Sequence, residues 1–136
     1  MTPMEEKKTK RAIDEAITES INDIQAKHAD LKITFDWDAY DNLDWAGFGK
    51  DKNDEIKYLR GHFSSLGNGF NFACKDADYK EELVTVTEII IKPAAESSPS
   101  SKAVGSLSGD KLTIVFHSLG GTMGADDWEK GLKSAY

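Results

Sequence analysis

The chain is poor in the residues that staple or interrupt small folds. Among 136 residues there is one cysteine, Cys74, and there are three prolines. A lone thiol cannot form an internal disulfide, so nothing points to an oxidising compartment. Cys74 stands in FNFACKDAD, where a small buried apolar side chain is the expected role. No apolar run approaches the roughly twenty residues of a membrane helix. The first residues, MTPMEEKKTKR, lack the apolar stretch of a signal peptide. These absences lead to the expectation of a cytoplasmic protein. Basic charge is also short, with 17 Lys and Arg against 24 Asp and Glu and a formal net charge of −7. Such a balance repels phosphate and anionic lipid, so neither nucleic acid nor membrane is an expected partner, while a basic protein is. The three histidines, His28, His62 and His117, are scattered without metal-ligand spacing, and neither metal nor cofactor is expected.

What remains is enough for one domain. Hydrophobic residues make up 39% and charged residues 30%, a globular composition. A chain of this length can bury most of its apolar surface in a single core over residues 1–136.

Thr2, Pro3 and Glu5 form a helix start: a cap, a proline at the first helical position and an acid three residues after the cap. Ile13, Ala16, Ile17, Ile21 and Ile24 then make one apolar stripe. This predicts a long helix fading around His28 to Asp30, whose polar residues 1–11 extend into water. Leu31, Ile33, Phe35, Trp37 and Ala39 alternate with polar residues and predict a strand, with Asp36 and Asp38 together on its outer face. Residues 40–50 read as a loop because of Asn42, Gly47 and Gly49.

A second helix is expected from about Asp51, burying Ile56, Leu59, Phe63 and Leu66, with Asp54 and Glu55 at its positive end. Phe70, Ala73 and Cys74 continue an apolar side in a third helical piece, with a strand at Phe70, Phe72 and Cys74 as the alternative, and Asp76-Ala77-Asp78 opens another turn that ends near Leu83. VTVTEIIIK, residues 84–92, is β-branched almost throughout. Its Ile89-Ile90-Ile91 run predicts a central strand buried on both faces. PAAESSPSSK, residues 93–102, reads as a flexible surface connection. Residues 103–107 and 111–116 flank Ser108-Gly109-Asp110 and predict a hairpin. A last helix from about Ala125 carries Trp128, Leu132 and Tyr136 at four-residue steps. The expected fold is α+β: a mostly antiparallel sheet of about four strands against a long N-terminal helix and two to three others.

The densest chemistry lies in DWDAYDNLDWAGFG, residues 36–49. Asp36, Asp38, Tyr40, Asp41, Asp44, Trp45 and Phe48 form a candidate surface for a basic partner, the carboxylates steering and the aromatics anchoring. Trp37 and Trp128 are expected in the core, and Trp45 either plugs the core edge or anchors a partner. Small acidic proteins that neutralise a basic toxin or nuclease use the same physics, which makes an immunity-like or inhibitor-like role the expected function by analogy of charge and size.

The enzymatic alternative rests on FHSLGG, residues 116–121, which has some likeness to the G-x-S-x-G nucleophile elbow. Phe116 stands where the first glycine belongs, and no histidine follows Ser118. The same glycines lack the Lys-Ser/Thr of a phosphate loop. An EF-hand loop starting at Asp36 fails at Asp41, which takes the glycine position, and at Gly47, which takes the glutamate position. Asp36 and Asp38 on one strand face leave an acid/base pair conceivable. With no catalytic motif complete, a binding protein is the expected class and a small enzyme around His117 and Ser118 the alternative.

Overall fold

The computed structural model describes residues 1–25, 28–95, 102–117 and 123–136. The chain begins with helix α1 (Pro3–Glu19), opened by the anticipated capping box: the Thr2 hydroxyl accepts from the Glu5 N–H, and the Glu5 carboxylate accepts from the Thr2 N–H. The helix is shorter than its apolar stripe predicts. It caps at Ser20, whose hydroxyl bonds the Ile17 carbonyl, and a separate turn, α2 (Asn22–Gln25), follows. Ile13, Ile17 and Ile21 are buried across that break, so the stripe marks burial correctly and helix continuity wrongly.

Strand β1 (Lys32–Phe35) stops earlier than the alternation predicts. Asp36 ends it because its carboxylate accepts the Ala39 N–H at 2.9 Å and so caps helix α3 (Trp37–Asp41). Asx capping competes with strand continuation wherever the next residues can turn. Asp44 repeats the device: it caps the turn α4 (Trp45–Phe48), which ends on Gly49 at φ 67°. The anticipated loop over residues 40–50 therefore holds the end of α3 and the turn α4. Helix α5 (Lys52–Phe63) is capped by Asp51, as expected, and α6 (Leu66–Ala73) and α7 (Ala77–Leu83, capped by Asp76) follow.

The β-branched run yields β2 over Glu88–Pro93 only, since Val84 caps α7 and residues 84–87 lie outside any strand. Ile89 and Ile91 are buried and Ile90 half-buried, so the strand is sealed on one face rather than two. Pro93 ends β2 and Ala94 is buried beyond it, while residues 96–101 of the anticipated connection lie outside the described residues. The hairpin is β3 (Ala103–Ser108) and β4 (Lys111–Phe116). Gly109 at φ 62°, with no non-glycine φ positive, gives the glycine-first pattern of a type II′ turn. Helix α8 (Ala125–Lys133) buries Trp128 and Leu132, but Tyr136 lies beyond its end and is exposed.

The strands form one sheet in the order β1-β2-β4-β3. It is mixed, not mostly antiparallel: β1 runs parallel to β2, β2 parallel to β4, and only the hairpin is antiparallel. The helices between β1 and β2 carry the chain back to the starting end of the sheet, as parallel pairing requires. Helices α1 and α8 pack on the sheet, α5 on α1, and α6 on α8. Their apolar faces meet Ile33, Phe35, Ile89, Ile91, Leu112, Ile114 and Phe116 in one core. The opposite sheet face turns Lys32, Thr34, Val104 and Ser106 to solvent. The α8 contacts are close: a Cβ on Gly69 would meet Trp128 Cβ at 2.5 Å, and one on Gly131 would meet Ala103 Cβ at 2.6 Å.

Candidate functional site

The acidic-aromatic segment folds into a corner formed by α3, α4 and the start of α5, beside the end of β1. Its carboxylates divide by task. Asp36 caps α3 and pairs with Lys92 at 3.5 Å. Asp41 is half-buried: Oδ2 receives Lys10 at 2.8 Å, while Oδ1 lies 3.6 Å from Lys52, within ion-pair range but beyond a hydrogen bond. Glu6 joins the cluster, 3.3 Å from Lys10 and 3.8 Å from Lys52. Asp44 is exposed and its Oδ1 caps the Gly47 N–H at 3.0 Å. Asp38 is exposed, and its carboxylate makes no hydrogen bond or ion pair among the described residues. Asp36 and Asp38 do not share a strand face, because one is a cap and the other a helical residue; the conceivable acid/base pair is not formed.

The aromatics also divide. Tyr40 is 1% exposed and gives a partner no contact area, contrary to its place in the expected surface. Its hydroxyl donates to the Lys52 carbonyl at 2.7 Å. Burial raises its pKa, and the charges of Glu55 and Asp41 raise it further. Trp45 is half-buried, its ring 5.0 Å from Tyr40, and its indole N–H donates to the Tyr40 carbonyl at 3.0 Å. Phe48 is half-buried against Trp45, with ring centroids 6.4 Å apart. Trp37 is half-buried too and donates to Asp14 Oδ1 at 2.9 Å, with the Lys10 ammonium 5.2 Å from its ring. Burial lowers the Lys10 pKa, and its bonds to Asp41 and Glu6 more than reverse this, leaving it raised.

The ion-pair partners were not legible in the sequence. Lys10 and Glu6 sit in the stretch expected to reach into water, and their one-turn spacing was the only local signal. What stays outward at the corner is Asp38, Asp44 and the uncovered parts of Trp45 and Phe48.

At the alternative site, Ser118 to Gly121 lie outside the described residues. His117 follows β4, half-buried, and its backbone N–H donates to the Lys102 carbonyl at 2.8 Å. His62 is 4% exposed, its Nδ1 accepting from the Met123 N–H at 3.3 Å and its carbonyl from the Trp128 indole at 2.9 Å. It helps hold the entry to α8. Among the described residues no group of three His, Cys, Asp or Glu side chains is placed to hold a metal ion, and no helix is long and apolar enough to cross a membrane. Comparison with protein-family models, with curated proteins and with solved structures gives no match for this chain.

Proposed function

We propose that this is a small acidic binding protein of the cell interior that engages a basic protein partner at the α3–α4 corner, in the manner of an immunity protein or inhibitor. The observation that carries the reading is the division of labour among the carboxylates. Asp36 and Asp41 are matched by lysines, while Asp38 and Asp44 face outward with no counter-ion among the described residues. Unmatched carboxylates held at the surface on α3 and before α4 steer a basic partner at encounter. Half-buried Trp45 and Phe48 beside them supply aromatic area of the type enriched at interface hot spots.

The test is capture from native extract at low and high salt, followed by titration with the captured protein after purification. The variant Asp38→Asn with Asp44→Asn removes two charges, and asparagine keeps the α4 cap. A basic partner whose association slows several-fold in this variant and loses its salt dependence supports the reading. Unchanged binding, or a partner with no basic face, sinks it.

A further inference from the structure

The two edges of the sheet are treated differently. On β3 the Gly105 N–H points outward and is taken by Ser134 Oγ at 2.7 Å. A Cβ on Gly105 would lie 2.4 Å from the Gly131 carbonyl, so α8 seals that edge. On β1 the Lys32 N–H donates to the Thr87 carbonyl and the Asp36 N–H to that of Ile91, at 3.0 and 2.9 Å. Along a strand the backbone groups alternate in direction with a period of two. The N–H and C=O groups of Ile33 and Phe35 therefore point away from β2, and among the described residues β1 is the last strand on its side. Next to them lies a cleft of about 300 Å³, lined by Asp14, Ile17 and Thr18 of α1, by Ile33, Thr34 and Phe35 of β1, and by Trp37.

Asp14 is the one charged residue in that lining among the described residues. Its Oδ1 holds the Trp37 indole, and its carboxylate has no cationic partner among the described residues. Trp37 begins α3, so the cleft runs into the corner that carries Asp38. Open strand edges are templates for pairing with another chain, and proteins ordinarily shorten or cover them.

We propose that the cleft between α1 and β1 receives an extended segment of the basic partner, which joins the sheet as a fifth strand through the backbone of Ile33 and Phe35 and sets a cationic side chain against Asp14. This rests on the reading of the protein as a binder of a basic partner, and it supplies the mode of docking. Strand addition gives affinity through main-chain hydrogen bonds, and the side chains that alternate along the added strand give selectivity. A second copy of the chain is disfavoured as occupant because each copy carries the net charge of −7.

The experiment uses the full chain and a short labelled peptide alternating Lys and Val. Companions are a Glu/Val analogue and a Lys/Val peptide N-methylated at alternate amides. Fluorescence polarisation reads affinity and amide chemical shifts read position. The Lys/Val peptide is expected to bind with its largest shift changes at Ile33 and Phe35. N-methylation should weaken it about tenfold or more, since a paired donor is lost. Asp14→Asn, which keeps an acceptor for Trp37, should reduce both affinity and salt dependence. Thr18→Trp, at an exposed helix position that lines the cleft, should block binding without disturbing the core.

A Lys/Val peptide that binds equally well when N-methylated, or whose shifts fall on α3–α4 and vanish with Asp38→Asn and Asp44→Asn, overturns the cleft and leaves the basic-partner reading standing. Equal binding of the Glu/Val analogue at β1 overturns the basic partner and, with it, the occupant named here. Concentration-dependent dimers that exclude the peptide overturn it in favour of a second copy, and no binding by any peptide overturns the strand-addition mode.

Discussion

Two buried tyrosines differ in one bond. The Tyr40 hydroxyl donates to the Lys52 carbonyl, whereas the Tyr79 hydroxyl is buried without a hydrogen-bond partner among the described residues. Removing a made bond costs its net value, while removing an unmade one relieves a desolvation penalty. Tyr40→Phe is therefore expected to lower urea stability by about 1 kcal/mol, and Tyr79→Phe to leave it unchanged or raise it. Equal losses in the two variants would contradict the assignment. Glycines allow a similar comparison. Gly61 sits exposed in α5, and a methyl group added there would find nothing within 4 Å, while one on Gly69 would meet Trp128 Cβ at 2.5 Å and the Ala125 carbonyl at 3.1 Å. Gly61→Ala should stabilise by about 0.5–1 kcal/mol through helix propensity, and Gly69→Ala should destabilise by about 1–3 kcal/mol through overpacking of α6 against α8. Denaturation midpoints at constant m-value would settle both signs.

At the scale of elements, aspartates set the boundaries. Asp36, Asp44, Asp51 and Asp76 each accept from a backbone N–H at the start of the helix that follows. Asp51→Ala should cost about 1 kcal/mol and Asp51→Asn much less, since both Asp and Asn cap; equal losses in thermal unfolding would show that charge rather than capping matters there. The Asp51 and Asp76 starts, the α1 capping box, the hairpin and the Trp128 and Leu132 part of the α8 face were legible because each is a signal local in the chain. The end of β1 was not. Leu31 to Ala39 alternates well enough for a nine-residue strand, and only the competing bond from Asp36 to Ala39 shortens it. The consequences spread along the chain: a continuous strand would put Asp36 and Asp38 on one face and leave Tyr40 in a loop, whereas a helix turns Tyr40 into the core. The parallel direction of β1 and β2 was illegible for another reason, since strand direction depends on how the intervening helices return the chain, and no local residue encodes that.

For the molecule as a whole, buried phenols make stability fall at alkaline pH. Burial raises the pKa of both Tyr40 and Tyr79 above the ordinary value of 10.0. Raised groups stay protonated in the fold while the unfolded chain ionises. Their contribution is thus complete below pH 10 and is lost as pH rises from there towards the folded values. Stability should fall by about 2.7 kcal/mol per pH unit for the pair above that point, and by half as much in either Phe variant. Lys10, also raised, acts in the same direction as its ion pairs with Asp41 and Glu6 discharge. Chemical denaturation at successive pH values from 9 upward measures the slope, and a flat profile would mean that the phenols are hydrated in the native state.

The pairing of β1 with β2 also bears on the order of assembly. The partner of Lys32 is Glu88, more than fifty residues later, whereas the hairpin closes over Gly109 and Asp110 alone. Closing a long loop costs entropy before any contact repays it, so distant pairings form late. The hairpin, with β2 paired beside β4 across a much shorter connection, is the natural nucleus, and β1 joins when most of the core is in place. Substitutions such as Ile33→Val should then quicken unfolding with little change in the refolding rate, whereas Ile114→Val in β4 should slow refolding. An element that docks last is also the first to leave, and the protein would meet mechanical or proteolytic stress by shedding β1 from an otherwise intact sheet.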